Sequence, residues 1–433
     1  ETTRLEGEIE IMSYTYQVQG KTVELVIDPS VIAVRFHDEG PLSARARAAK
    51  AWSTVEPNSG VEIPDEGFLL VPAELLHESA GVTSKEATEA TIGQLRNKPD
   101  IADALPVFRI GKYRVLAVRR VVIGLVDAKR SSQIADDYGL TIRETRSDKM
   151  VCDVPRAVDM FELIADLDSD DEVRFAEPDL VTLGHRPKVD EVAPATDRVD
   201  GQAGTEPNLD MAARQLDDHR LDLAELTQKI ATGRRRVKEQ AAGCEQMAVR
   251  IVPTSLPGGR WKTTNTTIAR SIDWSHRAGA DILTNSWVSA LPSNDIIEEL
   301  ERARTLGRGG LGCVIVVSVE RGCALSEFPA SLPNVLTMDA GEEYEQAKLA
   351  SRITGQRGSA AGLGTNGLSN GTSLATRPNL SGACALVLAA NPDLTEEQVR
   401  DLIGQAAGTA AIQTGRARPS LISAVQSALV ATQ

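Results

Sequence analysis

The sequence predicts an α/β protein: a doubly wound parallel-sheet domain preceded by two small α+β modules of ferredoxin-like type. Three observations carry this. A strand, helix, strand-Pro, helix, strand order occurs twice before residue 184. A polar stretch rich in Asp, Ala, Gly and Pro then reads as linker up to about Pro207. Beyond it, near-continuous apolar strands alternate with amphipathic helices, as in a parallel sheet covered on both faces. The 433 residues suit about three domains of ~150 residues each, and the boundaries read as 1–110, 111–187 and 188–433.

In the first module, residues 31–36 are strand-like and an Ala/Arg-rich helical stretch follows. A second strand at 67–71 is closed by Pro72, a helix spans about 84–97, and the unit ends on Pro99-Asp100-Ile101 and residues 105–108. The second copy has a strand at 121–126, a helix over 131–138, a strand at 150–154 closed by Pro155, a helix over 158–167 and a last strand over 171–178. Matching points lie 90, 83 and then 72 residues apart, so the first copy has the longer loops. In the third domain, 247–252, 281–284 and 313–318 read as strands, and 266–278 and 295–306 as helices, the second with Asn294 as N-cap.

Lys and Arg number 47 against 61 Asp and Glu, a net charge of −14 that repels nucleic acid and anionic lipid. The one basic cluster, Arg234-Arg235-Arg236, is too short to reverse this, so nucleic acid is not expected as a partner. No apolar run reaches the ~18 residues of a membrane span. Five cysteines without a C-x-x-C pair argue against a disulfide framework or a zinc site, although a Cys313–Cys323 pair stays open. The first residue is Glu1 and no signal peptide follows, so the sequence leaves the compartment open.

The chemistry-bearing segment is Asn370-Gly371-Thr372-Ser373-Leu374-Ala375-Thr376, followed by an Ala-rich helix and Asn391-Pro392-Asp393-Leu394-Thr395. A serine at a helix N-terminus has an exposed oxygen beside backbone N–H groups and a dipole that stabilise negative charge on a bound carbonyl. This segment resembles the serine box of the subtilisin-like serine proteases (subtilases, peptidase S8). Residues 325–335 resemble the family's segment between the oxyanion strand and the next core strand, and Ala280 to Trp287 its substrate-lining strand. Residues 173–180 resemble a propeptide ending, so the resemblance spans about 31–425.

The resemblance implies a serine endopeptidase with Ser373 as nucleophile and His219 as general base. It also implies a peptide or protein substrate paired to the backbone at Asn285, Ser286, Trp287 and Val288, and a zymogen whose own propeptide modules fill the groove. By the same resemblance the protein is secreted. Family members often bind calcium, but no acidic loop here has a calcium-ligating spacing and no cofactor is assigned. The boxes are degenerate. His219 is followed by Arg220-Leu221 where the family reads Gly-Thr, and Glu225 stands where it has a small glycine. The strand that ends on the catalytic aspartate has no counterpart, with Asp190, Asp210 and Asp217 only nearby acids. Counting back from Phe328-Pro329-Ala330-Ser331 puts Glu320 at the position of the oxyanion asparagine. Two readings follow: an endopeptidase impaired in the chain as written, and a pseudoprotease that binds peptides or acts as a scaffold.

Overall fold

The computed structural model describes residues 14–37, 48, 61–76, 84–111, 113–185, 209–214, 245–249, 251, 254–256, 260–285, 287, 291–319, 328–339, 359–360, 377–414, 424, 427, 428 and 430. They fall into two compact units, Glu1–Arg186 with Thr254–Asn265, and Pro187–Pro253 with Thr266–Gln433. Among the described residues no helix is long and apolar enough to cross a membrane.

The first unit opens with a hairpin, β1 (Thr15–Val18) and β2 (Lys21–Glu24), turned at Gln19 and Gly20, both at positive φ. Its first module comprises β3 (Ile27–Phe36), β4 (Val61–Ile63), β5 (Phe68–Pro72), a helix α1 (Lys85–Arg96) and β6 (Ile101–Ile110). The second comprises β7 (Tyr113–Leu125), α2 (Ser131–Asp137), β8 (Thr141–Arg146), β9 (Lys149–Asp153), α3 (Met160–Asp168) and β10 (Val173–His185). All pairings are antiparallel, in the orders β6-β3-β5-β4 and β10-β7-β9-β8. Both modules thus place the fourth strand beside the first, then the third and the second, and the sequence repeat is a repeat of ferredoxin-like topology. The first module's Ala/Arg-rich stretch lies outside the described residues except for Ala48, which is helical.

Alternation explains the burial. On β3, Val31 and Ala33 join the cluster that holds Phe68, Val107 and Val181, whereas Ile32 and Val34 join Ile92 and Leu95 of α1. On α3 the buried residues Met160, Leu163, Ile164 and Leu167 have helical spacing, and Asp159 caps it by accepting from the N–H groups of Phe161 and Glu162.

The modules do not form separate sheets. Residues 107–110 of β6 pair with 113–116 of β7 across a turn at Gly111, φ 55°, and fuse their eight strands into one sheet, which a later hairpin brings to ten. The 13-residue β7 makes this feasible, since its first part pairs β6, its last part pairs β9, and β10 runs along its other edge. A second addition comes from far along the chain. The hairpin β13 (Thr254–Leu256) and β14 (Arg260–Thr264) adds to the sheet by pairing β14 with residues 181–185 of β10. Gly184 permits this contact, because a Cβ there would stand 2.1 Å from the Trp261 ring. Lys262, buried on the same strand, reaches Asp65 at 3.2 Å and Glu66 at 3.3 Å; Glu66 pairs with Arg120 at 2.8 Å, and Arg120 with Asp179 at 2.9 Å.

The second unit holds an antiparallel pair, β11 (Leu209–Arg214) with β12 (Glu245–Val249), and a parallel sheet in the order β15 (Ile282–Asn285), β16 (Val314–Val319), β17 (Leu336–Asp339), β18 (Ser359–Ala360). Helices α4 (Asn265–Arg277) and α5 (Asn294–Leu306) flank β15 in the chain, and α6 (Arg377–Ala390) and α7 (Glu396–Thr414) follow the sheet. Ser293 rather than Asn294 caps α5, its Oγ accepting from Ile296 N at 3.3 Å, and Asn294 is the first helical residue.

Candidate functional site

The strands of the parallel sheet are apolar on both sides. Ile282, Val314, Val316 and Leu336 pack with Ala383, Val387, Leu394 and Val399 of the α6 and α7 region, while the alternate residues Leu283, Ile315 and Val317 are equally buried. At the amino ends of the strands the chain is locked. Arg308 lies 3.3 Å from Asp281, just before β15, and donates to the carbonyls of Gly312, Leu394 and Pro392 at 3.1, 3.0 and 2.7 Å. In open α/β sheets ligands bind at the opposite, carboxyl ends.

One hydrogen bond organises that end. Thr284 Oγ1, one residue before the end of β15, lies 2.7 Å from Ser381 Oγ in the second turn of α6. The start of α6, with its unpaired N–H groups and positive dipole end, is thereby held beside the carboxyl end of β15. Asn285 is fully buried and its amide is used structurally: Nδ2 donates to Leu283 O at 3.2 Å and Val316 O at 3.3 Å, and Oδ1 accepts from Trp287 Nε1 at 3.2 Å. The Trp287 ring meets that of Phe328, centroids 6.0 Å apart, so the chain leaving β15 is anchored to the segment that enters β17. Thr337 in turn donates to Ala330 O at 3.3 Å.

Of the site residues expected from the sequence, Asn285 and Trp287 lie in this framework; Ser286, Val288, His219, Glu320 and Ser373 lie outside the described residues. Ser373 precedes the first residue of α6 by four positions, Glu320 directly follows β16, and Ser286 directly follows β15. Thr284 and Ser381 were not singled out in the sequence. The signal for Ser381 was a hydroxyl within an otherwise Ala- and Leu-rich helix, where it needs a partner.

Among the described residues the cysteines are buried free thiols. Cys313 is a free thiol that donates to Ala280 O at 2.9 Å, which closes the option of a Cys313–Cys323 bridge. Burial pushes the thiols of Cys313 and Cys384 up to about 12, so both are protonated and inert at neutral pH.

The fold is that of a doubly wound α/β domain, a class in which ligands bind outside the carboxyl ends of the parallel strands. Comparison with known proteins names the family. The model of the subtilase family (peptidase S8) matches residues 230–422. Among solved structures it is similar to fervidolysin of Fervidobacterium pennivorans, a keratinolytic enzyme related to subtilisin, at 15% identity over 73% of this chain and 62% of that one, with a TM-score of 0.42. It is also similar to the epidermin leader peptide processing serine protease EpiP of Staphylococcus aureus, at 10% identity over 72% of this chain and 98% of that one, with a TM-score of 0.35. The chain therefore spans less than two thirds of fervidolysin's length. No curated protein sequence matches it.

Proposed function

We propose that the chain is a subtilisin-type serine endopeptidase module that keeps the family's peptide-binding edge and is impaired in hydrolysis. The observation that carries this reading is the Thr284–Ser381 hydrogen bond, which holds the beginning of α6 at the carboxyl end of β15. In this reading a substrate strand pairs with the backbone of residues 286–288, and Ser373, four positions before α6 in the sequence, attacks it. Ser373 is the nucleophile, His219 takes its proton, and the N-terminal end of α6 stabilises negative charge on the attacked carbonyl. The two ferredoxin-like modules serve as propeptide-type folding and inhibitory modules.

Impairment follows from composition. Without an acid on its far nitrogen, His219 has neither its tautomer nor its imidazolium form held, a loss of about 10⁴ in rate. A carboxylate at Glu320 replaces a donor whose removal alone costs roughly 10²–10³. Peptide binding needs neither group, so the limit of this reading is a pseudoprotease that binds peptides through the same edge. The test is labelling with a serine-directed phosphonate together with self-cleavage of the purified chain. Neither is expected to proceed appreciably, and Glu320→Asn alone should not restore them, because the aspartate is still missing. Stoichiometric labelling of Ser373 in the unmodified chain would overturn the impaired reading and require an acid near His219 that the sequence does not reveal.

A further inference from the structure

Away from the carboxyl edge of the sheet, α4 and α5 bring three metal-ligating side chains together. Asp273 and His276 share one face of α4 at a spacing of three, Glu299 comes from α5, and donor atoms of the three lie within 4.8 Å of one another. The His276 side chain is 8% exposed, and its Nε2 makes no hydrogen bond; Asp273 Oδ1 stands 3.5 Å from it. A buried ring nitrogen ordinarily finds a close partner, and the Asp273 carboxylate stands at the outer limit of hydrogen-bond reach from this one. Burial lowers the affinity of His276 for a proton, outweighing the pull of Asp273, and Arg277 and Arg302 act in the same direction as burial. An imidazole in its neutral form has a lone pair to offer a metal ion. Glu299 is 3% exposed and brings its carboxylate into the cluster from α5. Arg277 donates to Asp273 Oδ1 at 2.7 Å, which leaves Oδ2 for another partner.

We propose that Asp273, His276 and Glu299 form a binding site for a divalent transition-metal ion of the Zn²⁺ class. One imidazole nitrogen and two carboxylate oxygens suit Zn²⁺ or Co²⁺, whereas Ca²⁺ takes six to eight oxygens and does not favour imidazole. The ion ties α4, which leads into β15, to α5, which follows it, and so braces the strand whose carboxyl end carries the peptide-binding edge. Arg277 and Arg302 moderate the affinity by like-charge repulsion.

The full chain, stripped with a chelator and dialysed against Zn²⁺, should retain one ion that raises its melting temperature, and Co²⁺ in its place should give visible absorption bands of low coordination number. His276→Gln and Glu299→Gln should each weaken Zn²⁺ binding on the order of tenfold or more, and excess Ca²⁺ should not displace the ion. Asp273→Asn carries the same test at a side chain that is 24% exposed, should either of the more buried substitutions prevent folding. No Zn²⁺ uptake by the unmodified chain, or unchanged affinity in every variant that folds, overturns the site.

Discussion

Asp103 is the residue on which the first module's electrostatics turn. Its side chain is fully buried on β6, and Arg119, Arg96 and Arg35 approach it to 2.7, 3.7 and 3.9 Å. Arg119 also donates to Val158 O at 3.0 Å, so the carboxylate joins the two modules through one guanidinium. Removing one partner of a buried pair strands the other, and Asp103→Ala should cost about 3–5 kcal/mol in urea unfolding of the full chain. Glu66 gives a pH dependence. Burial raises its proton affinity, but the Arg120 and Lys262 charges outweigh burial and hold its carboxyl below the usual carboxylate range. A depressed folded value means that the stabilisation is complete above the ordinary value near 4.5 and is lost as pH falls through the folded one. Glu66→Gln should therefore flatten the acid limb of the stability profile while lowering stability at pH 7, and an acid limb unchanged in the variant would remove Glu66 from this role.

At the scale of elements, what the sequence disclosed depended on how local the information was. The repeated strand and helix order was legible because period-2 and period-3.6 patterns are carried by neighbouring residues, and both modules have the strand order that the repeat implied. The fusion of β6 with β7 and the addition of β14 to β10 were not legible, since each depends on which edge is left unpaired after the module folds. The same division holds for the site. The serine-box resemblance rests on one contiguous segment, whereas a base and an acid come from separate segments and no local pattern fixes them. The Asp273, His276 spacing is visible on α4, but Glu299, 23 residues beyond His276, joins them only through helix packing. The contact between β15 and α6 is testable directly. Ser381→Ala should cost about 1 kcal/mol or somewhat more, because Thr284 is left without its partner, and pairing it with Thr284→Val should recover part of that loss. Strict additivity of the two substitutions would show that the hydrogen bond contributes nothing.

For the whole molecule, the division into units does not follow the order of the chain. The region matched by the subtilase family model includes residues 254–265, and those residues complete the sheet of the N-terminal unit. A cut between residues 187 and 208 therefore severs the backbone without separating the products, because five residue pairs between β10 and β14 and the ion pairs of Lys262 still join them. With a protease site inserted there, the cleaved halves should co-elute in gel filtration under native conditions and part in denaturant. Elution of residues 1–186 alone under native conditions would refute this.

The edge of β10 also has a history in time. When synthesis has reached His185, the second ferredoxin-like module is complete in sequence, yet residues 181–185 still lack the neighbour they will have in the finished protein. That neighbour ends at Thr264, and at ~5–20 residues per second the ribosome needs about 4–16 s more to supply it. During that interval a nascent chain presents an open strand edge, the kind of surface on which neighbouring chains on one messenger can pair and which a chaperone shields.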